Sequence, residues 1–159
     1  QALTRDQMRL TIVTVGRLRP GPERTLYEHY ARRIRWPFAV HEVEERRPLP
    51  IERLIARESE LLRAACPKGA KVIALHGSGK ALTSEALARR LGAWRDDAVG
   101  DIALVIGGAE GLHPSIISAA DLVLSFGAVT WPHILMRALV AEQIYRAQQI
   151  LAGHPYHRS

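Results

Sequence analysis

The chain has 159 residues, a formal charge of +6 and a sequence pI near 10.1, with 47% hydrophobic and 24% charged residues. That length suits one domain, and that balance excludes disordered, collagenous and coiled-coil classes. No apolar run approaches the roughly 18 residues needed to cross a bilayer.

Gln1 to Gln7 carries no apolar signal core, and Cys66 is the only cysteine. A cytosolic protein with neither an intrachain disulfide nor a thiolate metal site is therefore expected. Lysine occurs only at 68, 71 and 80, so arginine supplies nearly all the positive charge. Arginine pairs bidentately with phosphate and stacks on bases, which favours a polyanionic partner such as RNA. On charge alone a merely basic protein would read the same way.

Residues 1–7 precede Met8 and are set aside as an extension; the domain is read over 8–159. Arg9 to Val15 is a β-branched run closed by Gly16, the pattern of a strand. Pro22 opens a helix, and Leu26, Tyr30 and Ile34 carry it to about Arg35. Phe38 to Val43 reads as a strand, and the polar, proline-bearing stretch from Glu44 to Pro50 as a loop. From Pro50 to Ala65, positions 51, 54, 55, 58, 61, 62 and 65 repeat at helical spacing, and all but Glu58 are apolar. Lys71 to His76 is a buried-strand pattern, after which Gly77-Ser78-Gly79 turns the chain. Thr83 or Ser84 caps a helix bearing Leu87, Leu91 and Trp94.

Ile102 to Ile106 is continuously apolar, as a central parallel strand should be. A glycine loop from Gly107 to Gly111, a short helix from Pro114 to Ala120 and a strand from Leu122 to Phe126 follow. Beyond the loop Gly127 to Trp131, Pro132 opens a helix through Leu151 that is apolar around most of its circumference. Such a helix is buried on more than one side, which points to a subunit interface as well as a core. The order β-α-β-α-β-α-β-α-β-α predicts a single-domain α/β fold with an open, mostly parallel sheet.

Open α/β sheets bind ligands at the carboxyl ends of their strands, and three loops fall there, after Leu75, Ile106 and Phe126. None is a phosphate loop. His76-Gly77-Ser78-Gly79-Lys80 lacks the required glycine at Ala74 and the Ser/Thr at Ala81, and no G-x-G-x-x-G can be aligned on Gly77 or Gly107. Gly107-Gly108 taken alone is also a common strand-to-helix turn. No G-x-S-x-G elbow is present. Cys66 ends an amphipathic helix without a nearby histidine and reads as packing, and the histidines lack metal-ligand spacing. The last six residues, His154-Pro155-Tyr156-His157-Arg158-Ser159, combine groups that stack on bases, bind phosphate and titrate near neutrality. A solvated chain end is the plainer reading of the same residues.

Ile106-Gly107-Gly108-Ala109-Glu110-Gly111-Leu112, Leu124-Ser125-Phe126, Thr130-Trp131-Pro132-His133, Arg137, Glu142 to Ala147 and the closing His154 to Arg158 together resemble the bacterial ribosomal RNA large subunit methyltransferase H family, of the SPOUT superfamily. The resemblance runs from Met8 to Ser159 and is strongest from Ile106 onward. It departs from the family pattern at Ala109, where proline is expected in relatives, and in residues 1–7.

The resemblance implies a homodimer with a C-terminal trefoil knot. It also implies transfer of a methyl group from S-adenosyl-L-methionine to N3 of a pseudouridine in 23S ribosomal RNA, on the large subunit or whole ribosome, with no metal and no membrane. The donor would meet Leu75, Gly107, Gly108, Phe126, Gly127, Ala128, Val129, Thr130 and Trp131. Glycine at 107 would keep the donor's approach open, and Leu75, Phe126 and Trp131 would form an apolar wall for adenine. The acceptor imide must lose its proton, which cationic groups favour. The candidate catalytic residues are His157, Arg158, Tyr156 and Arg137. A non-catalytic RNA- or ribosome-binding domain and a SPOUT enzyme acting on tRNA are the alternatives.

Overall fold

A computed structural model describes residues 7–154 and 156. Five strands form one sheet: β1 (Arg9–Val15), β2 (Phe38–Val43), β3 (Lys71–Lys80), β4 (Asp101–Ile106) and β5 (Leu122–Leu124). The helices are α1 (Pro22–Ala31), α2 (Ile51–Ala65), α3 (Ser84–Asp96), α4 (Pro114–Ala119) and α5 (His133–Leu151). The strand order is β2-β1-β4-β3-β5, and every neighbouring pair is parallel.

Side-chain alternation divides the interior into two layers. Leu10, Ile12, Ile73, Leu75, Ile102, Leu104 and Ile106 face one side, where Leu87, Leu91 and Trp94 of α3 and Val140, Ile144 and Ala147 of α5 cover them. Val13, Val15, Ala74, Ala103 and Val105 face the other, under Leu62 of α2 and Ile116 of α4. β4 is buried on both faces, which is why its sequence is an unbroken apolar run. α5 packs against both α1 and α3, and its buried residues include Arg137 and Gln149 as well as apolar groups.

Two expectations need correction. The first helix ends at Ala31 rather than near Arg35. Arg33 and Ile34 then donate to Tyr30 and Ala31, three residues back, in a tightened terminal turn, and Trp36 before Pro37 is biased away from helix. Ile34 still reaches the core from beyond the helix. The second concerns Gly77-Ser78-Gly79, which does not end its strand. Leu75 and Lys80 both pair with Leu124, so residues 76–79 bulge out and the strand then resumes. Gly79 is required there, because a β-carbon would lie 2.4 Å from the Val123 carbonyl oxygen. No helix among the described residues is long and apolar enough to cross a membrane.

Candidate methyl-donor cleft

β3 leaves the sheet toward α3 on one face, and the adjacent β4 leaves toward α4 on the other. Their diverging loops open a crevice at the carboxyl ends of the strands, the usual ligand position in open α/β sheets. The crevice here is a cleft of about 620 Å³, closed on its third side by the loop after β5 and the start of α5. Small-molecule sites fall in this size range.

All nine residues expected to meet a donor line this one cleft: Leu75, Gly107, Gly108, Phe126, Gly127, Ala128, Val129, Thr130 and Trp131. His76, Gly77, Leu112, Pro132, His133 and Met136 line it too, a role not expected of them from their sequence context. The bulge in β3 carries His76 and Gly77 there; His76 Nδ1 lies 2.7 Å from Ser78 Oγ. The β5–α5 loop is braced from within. The Ser125 hydroxyl donates to the Gly127 carbonyl at 3.0 Å and accepts from the Gly127 amide at 3.2 Å. Trp131 Nε1 donates to the Phe126 carbonyl at 3.2 Å, holding the indole against the loop.

The turn itself also requires glycine at 107. A β-carbon at 107 would lie 2.8 Å from the Gly111 carbonyl carbon and 3.1 Å from Leu112 Cγ. Glycine is needed because Gly108 and Gly111 pair across a tight turn, with Gly111 at φ +85°. The cleft fits a sulfonium nucleoside in its chemistry. It has apolar walls at Leu75, Phe126 and Trp131 and backbone amides and carbonyls along two loops.

Of the candidate catalytic residues, the two that the structure describes, Arg137 and Tyr156, do not line the cleft of their own chain. Arg137 is 4% exposed. Its Nη1 donates to Glu42 Oε2 at 2.5 Å, and its Nη2 donates to the Gly16 carbonyl at 2.6 Å. It thereby ties α5 to the ends of β1 and β2. Burial opposes ionisation of Glu42, but hydrogen bonds from Arg137 and the Leu18 amide outweigh it and hold the carboxyl below its ordinary 4.5. This contribution to stability is complete above pH 4.5 and lost as pH falls through the depressed folded value. Arg137→Ala should cost on the order of 1–3 kcal/mol in denaturant titration, and Glu42→Gln should lose part of the wild-type acid sensitivity.

Gly153, at φ +73°, turns the chain back after α5, and Tyr156 lies beside the middle of that helix. Its ring packs edge-on to Tyr145 at 4.7 Å with the Arg146 guanidinium 5.0 Å from its centre, and its hydroxyl donates to Glu142 Oε1 at 3.4 Å. Burial, then the charge of Glu142, pushes the phenol up to about 12, so it is protonated at neutral pH. Glu142 lies six residues along α5 from Met136 of the cleft lining, about 9 Å at the helical rise. His157 and Arg158 lie outside the described residues.

Cys66 packs against the α2–α4 core layer, and burial raises its thiol pKa, as suits a packing residue. Among the described residues, no group of three or more His, Cys, Asp or Glu side chains could hold a metal ion.

A family profile described as "Predicted SPOUT methyltransferase" matches residues 8–157. The Ribosomal RNA large subunit methyltransferase H of Rhodospirillum centenum is 57% identical over 152 residues, covering 96% of this chain and all of its own. The protein of the same name from Paramagnetospirillum magneticum is 52% identical, covering 95% and 99%. Among solved structures, a probable methyltransferase from Bordetella pertussis aligns over 88% of this chain and 96% of its own at a TM-score of 0.58; at 17% identity it supports the fold. The chain belongs to the SPOUT methyltransferases and, within them, to the ribosomal RNA large subunit methyltransferase H family.

Proposed function

We propose that this protein transfers a methyl group from S-adenosyl-L-methionine to N3 of a pseudouridine in 23S ribosomal RNA, as a cytoplasmic homodimer acting on the large subunit or the assembled ribosome. The observation that carries the reading is the convergence of three separate segments, the bulge in β3 and the loops after β4 and β5, on one cleft without a phosphate-binding fingerprint. Bound there, the donor supplies an electrophilic methyl carbon on a sulfonium sulfur, which leaves as a neutral sulfide when the acceptor nitrogen attacks in line.

The chain's own contribution is chiefly positional. Leu75, Phe126 and Trp131 hold the adenine face, and the Gly107–Gly111 turn and the 126–131 loop present backbone groups to its edges. Arg158 and His157 stabilise the acceptor as its imide proton departs to water. Arg137 acts by fixing α5 against β1 and β2. The relatives named for large-subunit RNA methylation and the +6 charge support an RNA substrate.

A second copy completes the site in this reading. Tyr156 is anchored on Glu142, about 9 Å along α5 from Met136, the nearest residue of α5 that lines the cleft of its own chain, and it does not line that cleft itself. Val129 at 65% and Trp131 at 39% exposed leave an apolar rim at the cleft for a partner to cover. Sedimentation should give a dimer at micromolar concentration, and a stable monomer would contradict this assembly.

The experiment that tests the activity presents labelled donor with large ribosomal subunits, whole ribosomes and tRNA from unmethylated cells. Label should enter 23S RNA in ribosomal particles. Label in tRNA would instead select a tRNA-acting SPOUT enzyme, and donor binding without transfer a non-catalytic RNA-binding domain.

A further inference from the structure

We infer that Glu58 is a buried counter-charge that makes this cleft prefer the cationic methyl donor over the neutral sulfide product, an inference that rests on reading the cleft as the donor site. Glu58 sits in the middle of α2 on the face turned to the sheet, and it is 8% exposed. Its Oε1 is buried without a hydrogen-bond partner. A buried carboxylate lacking a partner is costly, so an ordinary helix would carry leucine or methionine at this position.

What the carboxylate faces is the glycine turn of the cleft. A β-carbon on Gly108 would lie 3.3 Å from Glu58 Oε2 and 3.5 Å from Oε1, beside Val15. Gly108 itself lines the cleft. The carboxyl group is therefore separated from the ligand space by a single strand of backbone that bears no side chain. The cleft has no carboxylate in its own lining, and Glu58 lies behind its glycine turn, with Glu110 of that turn as a second nearby carboxylate.

Burial first, and the charge of Glu110 second, raise the Glu58 pKa. The ionised form is thus held at a cost that a nearby cation offsets. The donor's sulfonium is such a cation, and transfer removes it. Glu58 in its ionised form behind the turn favours donor over product, and the donor's cation in turn favours that ionised form, while the rest of the nucleoside is shared by the two ligands. Between charges separated by one backbone layer in a partly dry site, this preference is about tenfold.

The test is titration calorimetry of S-adenosylmethionine and S-adenosylhomocysteine with wild type and Glu58→Gln, alongside thermal unfolding without ligand. Donor affinity should fall about tenfold in the variant, product affinity should change much less, and unliganded stability should hold or rise. Glu58→Met, similar in length and apolar, replaces the glutamine variant where that one does not fold. Equal weakening of both ligands, or no change in either, would overturn the inference while leaving the donor site intact. Failure of the wild type to bind the donor would overturn both.

Discussion

Deleting residues 154–159 is expected to reduce single-turnover methyl transfer by about a hundredfold or more, the scale on which acid–base and charge-stabilising groups act, while donor binding stays near wild type. The two effects separate because the donor residues lie on β3 at its bulge and on the loops after β4 and β5, whereas Tyr156 is anchored on Tyr145, Arg146 and Glu142 along α5. A tail whose purpose was to cap α5 would need little beyond Gly153, whose positive φ already reverses the chain. Arg158→Ala alone should cost on the order of 1–3 kcal/mol if the guanidinium bonds to the acceptor. Lysine should rescue it only in part, since it lacks the bidentate fork. The assay is transfer of labelled methyl to ribosomes from unmethylated cells. Full activity in the truncated protein would leave the tail as a solvated end and move RNA recognition to the arginines of the main domain.

Gly107→Val should abolish donor binding and also lower stability. The valine β-carbon would have to displace the Gly111 backbone from 2.8 Å, and its branches would add to the contact with Leu112. Forced overpacking of this kind costs about 1–3 kcal/mol, and the turn that lines the cleft is what must move. Gly127→Ala is the informative contrast. Its β-carbon would meet nothing within 4 Å, but its φ of +108° is unfavourable for a side chain. That variant should lose affinity through loop strain rather than collision. Titration calorimetry and thermal unfolding on both variants check this, and normal donor affinity in Gly107→Val would remove the β4 turn from the site.

The elements were legible because burial and periodicity agree in this fold. Ile102 to Ile106 announced a strand covered on both faces, and the prolines at 22, 114 and 132 marked helix starts correctly to within a residue. The glycine-bearing loops after Ile106 and Phe126 pointed to the right end of the sheet, since ligand crevices follow from strand direction. Strand order was not legible, because it is set by packing between distant segments.

The misreadings have local causes. Gly77 and Gly79 looked like a terminating turn, yet Gly79 is a glycine so that β3 can pass against Val123. Arg137 was a candidate for chemistry by its charge, and its structural partners Glu42 and Gly16 were hidden because they lie about a hundred residues away in the chain. Glu58 stood out as the one polar residue in an apolar helical repeat, but only the fold brings it behind Gly108.

Mass mapping of 23S ribosomal RNA tests the central claim most directly, in cells lacking this protein and in the same cells given it back. One methyl group should disappear from N3 of a single pseudouridine and return with the wild-type chain, but not with the chain truncated before His154. An unchanged methylation pattern in the deletion, or a lost methyl on tRNA instead, would contradict the account.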